Sequence, residues 1–99
     1  MTLTELLELH IKLSHKAYVL TALKNHDYAP SDLNPFSSFD RKGLEGITTR
    51  MGDKLARLEA FAMRGVLRVE TETVEDTVLD MINYSILYYG YIEHKKTKS

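Results

Sequence analysis

Apolar residues recur along the chain at spacings of three and four, the period of a helix face rather than of a strand. Leu3, Leu6, Leu7, Leu13, Ala17, Leu20 and Leu23 mark a first such stripe, with His10 and Ser14 at polar positions on or beside it. Ahead of it, Thr2-Leu3-Thr4-Glu5 reads as a capping box, the Thr2 hydroxyl serving the Glu5 backbone amide and the Glu5 carboxylate reaching back. This predicts a helix ending near Lys24, where Asn25-His26-Asp27 supplies turn formers. Pro30 and Pro35 disfavour helix just before them, so residues 25–47 read mainly as loop. Thr48 or Thr49 is then a candidate cap for a second helix running to about Arg64, with Gly65 as its stop signal. Its stripe reads as Met51, Leu55, Leu58 and Ala62 with Phe61 beside it, and Arg50, Asp53, Lys54 and Arg57 take a neighbouring face. Residues 66–69 read as linker. Thr73-Val74-Glu75-Asp76 reads as a second capping start for a last helix to about His94, and residues 94–99 as a basic tail that frays.

The last helix is apolar or aromatic on nearly every face from Val78 to Ile92, so it is expected to be buried on most sides. Asp80 and Asn83 break that pattern, and Asp76, four residues before Asp80, falls on the same line. A carboxylate in such surroundings calls for a cation, a metal ion or a dense set of donors as partner. Two other helices cover only part of so apolar a segment, and a second subunit is the natural cover for the rest. Met81, Ser85, Tyr88, Tyr89 and Ile92 are expected to divide between subunit core and interface, with two-fold symmetry. The fold class is all-α: a small bundle of three main helices, with a long aromatic-containing loop between the first two, completed by oligomerisation. A single domain over residues 1–99 is expected.

Composition narrows the chemistry. A formal charge of −1 and 43% hydrophobic residues give no electrostatic reason to expect nucleic acid or an anionic membrane as partner. Cysteine is absent, which rules out disulfides and thiolate metal sites. The opening residues lack a signal-peptide pattern, and the apolar run is too short for a bilayer, so a cytoplasmic protein is expected. The four histidines, His10, His15, His26 and His94, have no zinc-like spacing, and neither a phosphate-binding glycine loop nor a nucleophile motif is present. What remains are Asp53, Glu75, Asp76 and Asp80 on two helices, carboxylates of the kind that hold Mg²⁺ between opposed helices. Each has a plainer reading. Asp53 suits an ion pair with Arg50 or Arg57, Glu75 and Asp76 suit a first helical turn, and Asp80 suits a pair with Arg57 or Lys54. Lys24, Arg50, Lys54 and Arg57 are cations suited to phosphates, and Tyr28, Phe36 and Phe39 are aromatics suited either to stacking on a base or to pinning their loop.

Four blocks stand in a distinctive order: Lys24-Asn25-His26-Asp27-Tyr28-Ala29, Asn34-Pro35-Phe36-Ser37-Ser38-Phe39, Arg50-Met51-Gly52-Asp53-Lys54-Leu55-Ala56-Arg57-Leu58, and Glu75-Asp76-Thr77-Val78-Leu79-Asp80-Met81-Ile82-Asn83-Tyr84. From about Lys24 to Tyr91 the chain resembles the phage-associated nucleotide-modification-associated domain family. That family looks like a distant relative of the MazG-like and dimeric dUTPase-like all-α pyrophosphohydrolases. The resemblance implies a nucleotide-binding protein of phage or bacterial nucleotide metabolism. It also implies Mg²⁺-dependent hydrolysis of a nucleoside triphosphate, with Asp53, Asp76 and Asp80 catalytic and these three plus Glu75 on the metal. The nucleotide would be met by Lys24, Asp27, Tyr28, Phe36, Phe39, Arg50, Lys54, Arg57 and Asn83. Where a MazG-like helix carries an acid three residues before its Asp, this chain has Thr77. That departure motivates the alternative, a non-catalytic binder that sequesters a nucleotide or cyclic-nucleotide signal. A third reading is a pure assembly module.

Overall fold

The computed structural model describes residues 1–28, 36, 42–65 and 70–98, apart from the side chains of residues 25–28, 72 and 98. The described residues form three helices: α1 (Leu3–Tyr28), α2 (Leu44–Arg64) and α3 (Thr71–Lys98). The architecture is all-α, as the spacing of apolar residues predicts, with no strand among the described residues. No helix of the described residues is long and apolar enough to cross a membrane. The chain gathers into two compact units, Met1–Pro35 and Phe36–Ser99. The linker at residues 66–69, Phe39 and most of the expected loop lie outside the described residues.

In the first unit, α1 begins as its sequence dictates. The Glu5 backbone amide donates to Thr2 Oγ1 at 3.1 Å, the Thr2 amide donates to Glu5 Oε1 at 3.3 Å, and the Leu6 amide reaches the Thr2 carbonyl at 3.0 Å. These satisfy amides that a helix start otherwise leaves without partners. The helix continues to Tyr28 rather than ending near Lys24. Asn, His and Asp cost only a few tenths of a kcal/mol each in a helix, so Asn25-His26-Asp27 does not stop it, and Pro30 stands just beyond.

The second unit is built on the α2–α3 pair. α2 starts at Leu44, four residues before the expected Thr48, because Gly43 caps it with φ 58° and ψ −133°, a conformation that favours glycine. Thr48 and Thr49 lie inside the helix, where both hydroxyls donate to the Glu45 carbonyl at 3.0 and 2.9 Å. Gly65, at φ 85°, ends α2 after Arg64 as expected. α3 likewise starts early. The Val74 amide donates to the Glu70 carbonyl at 3.2 Å and the Thr73 hydroxyl to Glu70 Oε2 at 3.4 Å, so Thr73 is already within the helix. Thr71 opens α3, which runs on to Lys98 instead of stopping near His94. Glu75 and Asp76 therefore sit beyond its first turn, where the helix-dipole explanation of their charge weakens.

On α2, Leu44, Ile47, Met51, Lys54, Leu58 and Phe61 are buried or half-buried, a stripe with alternating steps of three and four. The expected stripe differs: Leu55 is 49% exposed and Ala62 is exposed as well. Thr77, Asp80, Tyr84, Leu87, Tyr91 and His94 form the matching stripe on α3. Gly43 lies against Tyr91 at one end and Lys54 against Asp80 further along, so residue numbers rise on one helix as they fall on the other and the pair is antiparallel. Phe36, Ile47 and Tyr91 form the buried centre, with Leu44, Met51, Tyr84, Leu87 and Tyr88 packed around it. Most side chains from Val78 to Ile92 are at least half-buried, while Ser85, Ile86 and Tyr89 are exposed.

Candidate functional site

Within the seam of α2 and α3, one position on each helix is charged. Lys54 Nζ lies 3.0 Å from Asp80 Oδ2, and the two side chains are 16% and 27% exposed. The partner that Asp80 demands is therefore an ammonium from the facing helix, the structural pairing among the alternatives read from sequence. Partial removal from water strengthens their attraction relative to a surface pair, and each neutralises the other's cost of leaving solvent.

Helical geometry decides what surrounds this pair. At 3.6 residues per turn, Arg50 and Arg57 stand nearly in line on α2, and Asp53 lies beside them, all on the same side of the α2 seam stripe. Asp76, Asp80 and Asn83 run along one side of the α3 stripe. In an antiparallel pair the side that trails the stripe on one helix meets the side that trails it on the other, and both sets trail. Arg50, Asp53, Arg57, Asp76 and Asn83 accordingly share one flank of the pair, toward which Lys54 and Asp80 also lean. Asn83 is half-buried, whereas Arg50, Asp53, Arg57 and Asp76 are exposed. Glu75 projects about a third of a turn away from that line and is half-buried. Arg64, which sequence reading passed over, continues the series seven residues beyond Arg57, and that seven-residue recurrence was the signal for it.

Phe36 lies at the far end of the same flank. Its ring is buried, 5.8 Å from Tyr91 in an edge-on arrangement and 5.0 Å from His94. A β-carbon on Gly90 would come within 3.2 Å of its Cζ, so a glycine in mid-helix makes the seat for this ring. The Phe36 ring is thus part of the core, the packing role rather than the stacking one. Of the remaining candidates, Lys24 is exposed on α1, Asp27 and Tyr28 belong to the last turn of α1 with side chains outside the described residues, and Phe39 is outside them altogether.

The acidic residues can be tested against the Mg²⁺ that the resemblance implies. Lys54 sits on Oδ2 of Asp80. Among the described residues, no three His, Asp or Glu side chains gather closely enough to hold an ion. Around Asp80, then, the described residues present an ammonium rather than a cluster of carboxylates. What the flank offers instead is a mixed surface of two arginine forks, an amide and exposed carboxylates around an internal ion pair. No protein-family model, curated protein or solved structure matches the chain.

Proposed function

We propose that this protein binds a nucleotide through the polar flank of the α2–α3 pair, in phage or bacterial nucleotide metabolism and in the cytoplasm. The observation that supports it best is the convergence of Arg50, Arg57, Asn83 and the Lys54–Asp80 pair on one side of the helix pair, drawn from the same blocks that carry the family resemblance. Arg50 and Arg57 present planar forks that match phosphate oxygens two at a time. Asn83 supplies both a donor and an acceptor for a sugar or a base edge. The proposal includes a homodimer or higher homo-oligomer, for which exposed Ile86 and Tyr89 on α3 supply apolar surface.

Two fates are open to a bound nucleotide: hydrolysis of a triphosphate with Mg²⁺, or retention unchanged. The Lys54 ammonium on Asp80 favours retention, because a carboxylate already neutralised is a poor ligand for a divalent ion. Titration calorimetry with the common ribo- and deoxyribonucleoside triphosphates and cyclic nucleotides, with and without Mg²⁺, tests binding. Chromatography of the released ligand tells retention from turnover. Arg57→Ala is expected to weaken binding by on the order of tenfold, with little change in thermal stability because Arg57 is exposed. If no nucleotide binds under any of these conditions, the reading is wrong.

A further inference from the structure

We propose that Lys54 is the resident counter-cation of this site, so that the flank takes a phosphate-bearing ligand without a divalent metal. The inference rests on the nucleotide-binding reading for its ligand but not for its claim about Asp80. Lys54 belongs to the seam stripe of α2, where every other position from Leu44 to Phe61 is apolar, and its partner takes the equivalent place in the stripe of α3. A lysine in such a stripe loses hydration, and Asp80, here at 3.0 Å, gives it a strong electrostatic partner in return. The ammonium thereby supplies a positive charge to a carboxylate set between two helices. It is covalently attached and seated by packing, so a dissolved cation has to displace it before reaching Asp80. The other carboxylates on that flank, Asp53 and Asp76, are exposed, and Arg50 and Arg57 beside them repel an approaching divalent ion while attracting an anion. The ligand class that follows is a metal-free phosphate ester or anhydride, neutralised by arginine.

Manganese serves as the probe, since its electron paramagnetic resonance signal is lost on binding, and the first measurements use full-length protein without any nucleotide. Wild-type protein is expected to leave the Mn²⁺ signal unchanged at micromolar concentrations. Lys54→Met removes the charge while keeping an apolar stem, and it is expected to bind Mn²⁺ roughly tenfold more tightly than wild type. The further change Asp80→Asn should abolish that gain. Micromolar Mn²⁺ binding by wild-type protein that disappears in the single variant Asp80→Asn would overturn the proposal, as would a folded Lys54→Met protein with no gain. Should Lys54→Met fail to fold, Lys54→Gln, which keeps a polar end in the same place, replaces it with the same expectation and the same overturning result. A separate calorimetric arm adds a nucleotide with excess chelator, where affinity is expected to be unchanged. Failure of any nucleotide to bind in either condition removes the nucleotide reading and leaves the manganese result standing.

Discussion

Gly43 and Tyr91 show how much one residue can fix here. Gly43 turns the chain into α2 at φ 58°, and a β-carbon on it would come within 2.8 Å of the Tyr91 hydroxyl oxygen. Both the backbone conformation and the space exclude a side chain. Gly43→Ala is expected to cost about 2 kcal/mol, from strain in a region that L-residues avoid and from displacement of a buried ring. A shift of the urea midpoint to lower concentration with an unchanged slope checks this, and adding Tyr91→Phe should recover only the part due to the hydroxyl. None of this was legible in the sequence, where Gly43 is one glycine among five and Thr48 and Thr49 offer a stronger cap signal. The threonines failed as caps because a glycine at positive φ had already admitted the chain to the helix, which left their hydroxyls to bond back to Glu45. By contrast, the pairing of Asp80 was half legible. Its need for a cation followed from its apolar setting, whereas the choice of Lys54 over Arg57 depended on where the α2 stripe lies, and that stripe was misread by taking Leu55 and Ala62 as inward.

Among the elements, the start of α1 was the most legible part, since its capping box depends on residues adjacent in sequence and needs nothing from the rest of the fold. α3 was legible in kind but not in extent. Its apolar run implied a long helix, yet its start at Thr71 rests on Glu70, a residue that reads as an ordinary surface acid. The glycine inside it carries a further expectation. A mid-helix glycine costs roughly 1 kcal/mol relative to alanine, and Gly90 offsets this by seating Phe36, which an added β-carbon would crowd at 3.2 Å. Gly90→Ala should therefore be more favourable in a Phe36→Leu background than in the natural one, by about 1 kcal/mol. Denaturation of the two single variants and the double variant measures the coupling. Strict additivity would mean that the ring and the glycine are energetically independent.

For the whole molecule, the proposal of self-association turns on the surface that α3 leaves uncovered. Tyr88 packs on the buried centre and Met81 and Ile92 are half-buried, but Ile86 and Tyr89 are 64% and 67% exposed. A mass of about twice 11.4 kDa or more by light scattering at micromolar concentration is the expected result. Ile86→Lys should lower it, since a charge at the centre of an apolar contact opposes association. A wild-type mass near 11.4 kDa would mean that α3 has no second subunit as its cover.

Two stripes that repeat every seven residues can close on one another in more than one way, because a slip by one repeat again sets stripe against stripe. The Lys54–Asp80 pair makes these alternatives unequal. Slipped one repeat in one direction, Lys54 would stand opposite Leu87 and Asp80 opposite Phe61; in the other, they would face Thr73 and Ile47. Either closure strands two charges against groups that cannot neutralise them, a penalty of several kcal/mol. The same ion pair that seats a cation beside the proposed ligand surface therefore acts as the key of the hairpin, admitting one alignment of its helices and rejecting the neighbouring two.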